Sequence, residues 1–198
     1  RPNHRSLPFD ADRFEVSAHK WTAIEEANRG AAVLNDCKYG VNVTGGTIQL
    51  TLLRAPQAPD ATADRGLQEF TYSFYAWNGP FFESAVVREA YDLNVPVTVQ
   101  PGAGGCVALF RVDAPNVVVE TVKPAEDGSG DLVVRLYEAM RTATRCTLST
   151  GLPVRSALLT DMLEQPKRSV RIGTSGLRLT FKPFEIKTLR LRLARGRR

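Results

Sequence analysis

Asn35, Asp36, Lys38 and Tyr39 bring an amide, a carboxylate, an ammonium and a phenol into five consecutive positions, framed by apolar Val33-Leu34 and by Gly40. Strand interiors are not built this way. A strand end that delivers polar groups to a ligand is. Cys37 sits inside the cluster, where Lys38 would favour a thiolate and Asp36 would oppose it. Adjacent acids occur at Glu25-Glu26 and Glu126-Asp127. Two carboxylates suffice for glycoside hydrolysis, but neighbours within turns read as solvated charges. The two histidines, His4 and His19, form no His-x-x-x-His pair and sit beside no cysteines at ligand spacing, so a self-contained zinc site is not expected. His19 reads as a hydrogen-bonding residue packed on Trp21. No Gly-x-Ser-x-Gly elbow supports a serine nucleophile, and Gly102-Ala103-Gly104-Gly105 lacks the strand–turn–helix frame of a phosphate loop.

The elements that must position these groups follow from period-two alternation. Val16, Ile48-Leu50-Leu52 by alternate positions, Phe70-Tyr72-Phe74-Ala76, Leu132-Val134-Leu136, Leu177-Leu179-Phe181 and Leu189-Leu191-Leu193 each mark one face of a strand. Phe14 and Ala18 extend the first of these. The pattern predicts half-buried antiparallel strands. Gly45-Gly46, residues 126–130 and Ser175-Gly176 read as the turns between them. The sequence Asn42-Val43-Thr44 fits a glycosylation acceptor and is expected to be a turn leading into Gly45-Gly46. Residues 83–93 support either two or three helical turns, with Val86, Ala90 and Leu93 on one face, or an extended strap. Pro56 and Pro59 force a path outside any ladder, and residues 60–66 form an exposed loop. The fold class is therefore all-β, with two β-sandwich-like units of antiparallel strands, a portion of a large sandwich and a smaller C-terminal one. The break falls in Pro101-Gly102-Ala103-Gly104-Gly105 and gives units at 1–104 and 105–198, the second ending in a basic tail.

The chain has 198 residues, 43% hydrophobic and 24% charged, with a net charge of +5. That charge resides in the last nine residues, where Arg190, Arg192, Arg195, Arg197 and Arg198 meet no acid. Arg190 and Arg192 alternate with leucines and read as a solvent face, so no nucleic-acid partner is expected. No apolar run reaches the roughly 20 residues of a membrane helix, and no membrane partner is expected. The N-terminus shows no apolar stretch of a signal peptide and begins without Met, so the start of the gene product is expected upstream. Cys37, Cys106 and Cys146 give no disulfide framework and suit reduced thiols in a cytoplasmic protein.

Ordered motifs run along nearly the whole chain: Arg13-Phe14-Glu15-Val16, Ala18-His19-Lys20-Trp21, Leu34-Asn35-Asp36-Cys37-Lys38-Tyr39-Gly40, Leu52-Leu53-Arg54-Ala55-Pro56, Ala63-Asp64-Arg65-Gly66, Ala90-Tyr91-Asp92-Leu93-Asn94-Val95-Pro96, Arg135-Leu136-Tyr137-Glu138-Ala139 and Pro183-Phe184-Glu185-Ile186-Lys187-Thr188-Leu189. In them the chain resembles the C-terminal β-region of glycoside hydrolase family 38, the class II α-mannosidases, in its cytosolic and bacterial branch. The resemblance implies a fragment of an enzyme that hydrolyses α-mannosides with retention, acting on mannose-containing oligosaccharides or glycosides. It implies an N-terminal barrel and a helical domain of the same chain as partners, a cytoplasmic location, and Zn2+ held by barrel residues, none of which map here. The isolated fragment is expected to be inactive and to bind no zinc. Asp64-Arg65-Gly66 matches the position where a family arginine reaches toward the site, so Arg65 offers a fork of donors to sugar hydroxyls or a carboxylate. Asp36 would accept sugar hydroxyls or orient Arg65, and Tyr39 would stack on a sugar or line the pocket. Asp64 and Lys38 join Asp36, Tyr39 and Arg65 as candidate substrate-binding residues, with simple solvation the favoured alternative for Lys38. The alternative for these loops is a salt-bridged turn holding the β-domain to the barrel. The loop Cys37-Lys38-Tyr39 departs from the Golgi and lysosomal branch. Two readings stand beside this one. A free-standing carbohydrate-binding module would need an aromatic platform, for which Trp21, Trp77, Phe81 and Phe82 are candidates. A structural module would serve only contacts within a homo-oligomer. An apolar face left uncovered favours dimerisation or poor solubility.

Overall fold

The computed structural model describes residues 8, 12, 14–102 and 108–194. His4, Arg13, Ala103-Gly104-Gly105, Cys106 and the tail 195–198 lie outside the described residues. The chain divides into two compact units, Pro2–Gln100 and Pro101–Arg198. Strands dominate both, and every pairing is antiparallel, so the all-β expectation holds.

The first unit carries β1 (Val16–Ser17), β2 (Trp21–Glu26), β3 (Arg29–Asn35), β4 (Gly40–Thr44), β5 (Thr47–Leu50) and β6 (Tyr72–Asn78), followed by a 3-10 turn (Phe81–Glu83) and helix α1 (Val86–Asn94). Two three-stranded sheets result, ordered β1-β4-β5 and β2-β3-β6. The helical alternative for residues 83–93 is the one adopted. Val86 and Ala90 are fully buried, and Leu93 packs on the same cluster with Ala32, Leu34 and Trp77. Tertiary burial of that face stabilises a helix too short to persist alone.

Three expectations change in this unit. Asn42 and Thr44 lie within β4, where they pair with Gln49 and Thr47. The turn is confined to Gly45-Gly46, with Gly45 at φ 58°. The expected face of the sixth strand is reversed. Tyr75 and Trp77 enter the core, whereas Phe74 is 73% exposed and Tyr72 60%. The strand is apolar on both faces, so alternation alone left its orientation open. Trp77 decides it by lying over Gly30, its cross-strand partner. A Cβ at Gly30 would come within 2.0 Å of the indole ring. The first strand is only two residues long, and Phe14 and Val16 are exposed.

The second unit contains β7 (Arg111–Val112), β8 (Val117–Pro124), β9 (Leu132–Glu138), β10 (Thr144–Ser149), β11 (Val154–Thr160), β12 (Pro166–Val170), β13 (Ile172–Gly173), β14 (Gly176–Phe181) and β15 (Ile186–Leu193). They form a five-stranded sheet, β12-β11-β15-β9-β8, and a four-stranded sheet, β13-β14-β10-β7. Leu136, Leu189 and Leu191 of the first meet Leu148, Leu177 and Phe181 of the second in one core. The alternation predicted for these strands is the alternation found.

Arg190 is not a solvent-face residue. Its Nε donates to Asp131 Oδ2 at 2.8 Å, and its Nη2 to Asp127 Oδ2 at 2.6 Å and Ser129 Oγ at 2.9 Å. The guanidinium thereby pins the β8–β9 turn to β15. Nor are Glu126 and Asp127 merely solvated, because Glu126 pairs with Lys123. Glu138 is fully buried. Its Oε1 accepts from Asn116 Nδ2 at 2.9 Å and the Met140 amide at 2.7 Å, and its Oε2 accepts from the Phe184 amide at 2.9 Å.

Candidate functional site: the loop after the third strand

Asn35, at the end of β3, is 1% exposed. Its amide donates to Lys20 O at 3.0 Å, and its Oδ1 accepts the Lys38 amide at 2.9 Å. Its carbonyl accepts Asn94 Nδ2 at 3.0 Å. An asparagine bonding the backbone three residues on is a turn-former with a definite mechanism. It converts the strand into a fixed loop rather than a loose one.

The loop residues then take separate directions. Asp36 exchanges two bonds with Thr71: its amide donates to Thr71 O at 3.2 Å, and its Oδ2 accepts the Thr71 amide at 3.0 Å. Its Oδ1 is buried without a hydrogen-bond partner among the described residues. The neighbouring Cys37 thiol, and after it the Thr71 amide, hold the Asp36 carboxyl below its ordinary range. Asp36 in turn pushes the Cys37 thiol upward, so the carboxylate outweighs Lys38 and the thiol is not activated. Lys38 Nζ lies 5.1 Å from the Phe70 ring centroid, a cation–π contact rather than full solvation. Tyr39 stacks on His19, with centroids 4.2 Å apart and planes 7° from parallel. The expected partner of His19, Trp21, instead packs toward the β2-β3-β6 core.

Asp64 sits at φ 60° in the 60–66 loop. Its Oδ2 accepts the amides of Ala55 at 2.9 Å and Arg54 at 3.3 Å. These two donors, Ala55 first, lower its pKa. Arg65 is exposed, and its amide donates to Thr62 O at 3.1 Å. No ion pair joins Arg65 to Asp36 among the described residues.

Tyr39 and Asp64 line one open groove of about 440 Å³ together with Glu15, Gly40, Thr51 and Arg54. Asp36, Lys38 and Arg65 are not among its lining residues. Glu15 is the organiser that sequence reasoning missed. Its Oε1 accepts the Thr51 hydroxyl at 2.6 Å, and its Oε2 lies 3.2 Å from Arg54 Nη1. Its signal was weak, a lone acid beside a short strand, far in sequence from its basic partner. Asn35 was visible only as part of the polar cluster. The groove offers a phenol, two carboxylates, a guanidinium and a hydroxyl, a donor and acceptor set suited to sugar hydroxyls. No group of three or more His, Cys, Asp or Glu able to hold a metal occurs among the described residues, and the groove does not fit a zinc ion.

The aromatic platform is not present as four exposed rings. Trp77 is buried, and Trp21 and Phe81 pack against its cluster, Phe81 edge-on to Trp77 at 5.9 Å. Phe82 alone of the four is exposed.

Two sequence-family models match the chain: "Glycosyl hydrolases family 38 C-terminal domain" over residues 1–62, and "Glycosyl hydrolases family 38 C-terminal beta sandwich domain" over residues 116–189. The chain is 44% identical to alpha-mannosidase 2C1 of Mus musculus, over 96% of this chain and 19% of that protein. It is 36% identical to alpha-mannosidase G of Dictyostelium discoideum, over 96% of this chain and 18% of that one. It therefore spans about a fifth of the length of these relatives. The crystal structure of an alpha-mannosidase from Enterococcus faecalis V583 superposes with a TM-score of 0.65 at 22% identity, over 90% of this chain and 21% of that one, and shares the fold.

Proposed function

Because the chain belongs to glycosyl hydrolase family 38, of whose C-terminal β-region it forms part, we propose that it is the supporting and rim-forming portion of an α-mannosidase. The whole enzyme hydrolyses α-mannosides in the cytoplasm. Its zinc and its catalytic carboxylates belong to domains outside this chain, and the chain alone turns over no mannoside. The β-units scaffold those domains. The observation that carries the reading is the groove in which the Asn35-fixed loop presents Tyr39 opposite the Asp64 loop. A ring and several planar polar groups on a prearranged surface suit a sugar. Asp36 and Asp64 serve it indirectly, by bonding backbone amides that hold the two loops. Arg65 remains exposed and free to reach a carboxylate or hydroxyl supplied by the larger protein.

The test is a kinetic series on the full-length enzyme with an α-mannoside substrate. Tyr39→Ala and Arg65→Gln are expected to raise KM or lower kcat/KM severalfold, with the melting temperature unchanged. Unaltered constants in both variants would refute the rim role. Mannoside turnover or stoichiometric zinc in the purified chain would refute the division of labour. A free-standing carbohydrate-binding module is the weaker reading, since Trp77 is buried and Trp21 and Phe81 are partly buried against its cluster.

A further inference from the structure

Residues 101–198 carry seventeen basic and nine acidic side chains, a balance of +8, whereas residues 1–100 carry nine and twelve. The excess is unevenly used. On the five-stranded sheet Arg190 and Arg192 pair with Asp131, Lys123 with Glu126 and Glu164, and Lys187 with Glu185, whereas Arg135, Arg155, Lys167 and Arg168 enter no ion pair among the described residues. On the four-stranded sheet no strand arginine is paired among the described residues. Cys146, Leu148, Leu177 and Leu179 are buried on its inner face, so alternation places Arg145, Thr147, Ser149, Arg178 and Thr180 on the outer one. Arg111 joins that face opposite Ser149. Arg111, Arg145 and Arg178 are exposed, and none enters an ion pair among the described residues. The one carboxylate at this edge, Asp113, accepts the Thr147 amide at 2.7 Å.

Register fixes the spacing. Arg145 faces Thr180, and Arg178 faces Thr147, on adjacent rows of one strand pair. With about 3.4 Å per residue and about 4.8 Å between strands, their Cα atoms stand about 8 Å apart, and Arg111 lies about 12–14 Å from both. Solvated sheet faces ordinarily mix the two signs. Three unmatched forks on one face, separated by hydroxyls, form an array for oxyanions. Among the described residues the face has no aromatic side chain on which bases could stack, and no apolar centre such as a protein interface buries. We propose that this outer face binds an oligosaccharide bearing repeated anionic ester groups. The Arg145 and Arg178 guanidinia take one or two esters, Arg111 takes a further one, and Thr147 and Thr180 meet the sugar hydroxyls. The inference does not depend on the groove or on the mannosidase reading.

The probe is a heparin-derived hexasaccharide, titrated calorimetrically into the whole chain at several salt concentrations. Wild type is expected to bind, with affinity falling as salt rises. The double variant Arg145→Gln/Arg178→Gln should weaken binding about tenfold or more and flatten the salt dependence, and Arg111→Gln alone should weaken it severalfold. All are surface substitutions, so melting temperatures should be unchanged. The control Lys167→Gln/Arg168→Gln, an equal charge loss on the β12 edge strand, should change affinity less than about twofold. Absence of wild-type binding overturns the proposal, as does equal loss in the control. So does binding of oligo-dT or polyglutamate through the same arginines as tightly as the hexasaccharide.

Discussion

Glu138 anchors three separate segments of the second unit, and its replacement gives a graded outcome. Glu138→Ala removes the acceptor for Asn116 Nδ2, for the Met140 amide and for the Phe184 amide at a fully buried position. Each donor left unsatisfied costs about 1–3 kcal/mol, so a loss of about 3–9 kcal/mol is expected, a large part of a domain's total stability. For a unit of this size that corresponds to a fall of at least about 12 °C in Tm. Glu138→Gln keeps the shape and one oxygen but turns a donor toward a donor, and should cost about 1–2 kcal/mol. Calorimetry reads both. Trp21 and Trp77 lie in the first unit, so tryptophan fluorescence offers an internal reference that should move less than the calorimetric transition. If glutamine proves as stable as glutamate, or alanine shifts the transition by under about 2 °C, the carboxylate is not the anchor described.

Further outcomes follow from other contacts. Gly30→Ala drives a Cβ into the Trp77 ring and should destabilise the first unit by about 1–3 kcal/mol, seen as a lower Tm with a changed tryptophan emission maximum. Asp127 is held at about 2, chiefly by the Ser129 hydroxyl and then by Arg190. Its folded pKa lies below the ordinary 3.8, so its contribution is complete above about pH 4 and disappears as pH falls toward 2. Melting curves across that window should steepen less in Asp127→Asn. Cys37 should react with iodoacetamide at pH 7.5 more slowly than free cysteine, because Asp36 raises its pKa, and Asp36→Asn should accelerate it. Cys146, buried and raised to about 11, should be silent in the native chain.

The second unit was legible chiefly through β10 and β14, where each buried residue is followed by a more exposed one, so pattern and burial coincide. The first unit was less so. Its sixth strand has apolar side chains on both faces, and its orientation depends on the indole of Trp77 fitting the one position without a side chain, Gly30. Arg190 was misread for a similar reason. Alternation placed it on the outer face correctly, but nothing local announced that residues 127–131 curl back over that face. In the candidate site, the polar cluster at 35–39 was visible as a cluster. Its internal assignment was not, because the partners lie far away in sequence: Thr71 for Asp36, Phe70 for Lys38, His19 for Tyr39. Glu15 escaped because an isolated acid carries no periodicity, and its value comes only from Thr51 and Arg54 folding beside it.

Asn94, in the last turn of α1, donates through one side-chain nitrogen to both Ala90 O within the helix and Asn35 O at the strand end. The helix terminus and the loop mouth therefore share a latch. Any segment of a larger protein that rests on the end of that helix gains leverage over Tyr39 without approaching the groove, and a proline or glycine introduced there would slacken the rim from behind.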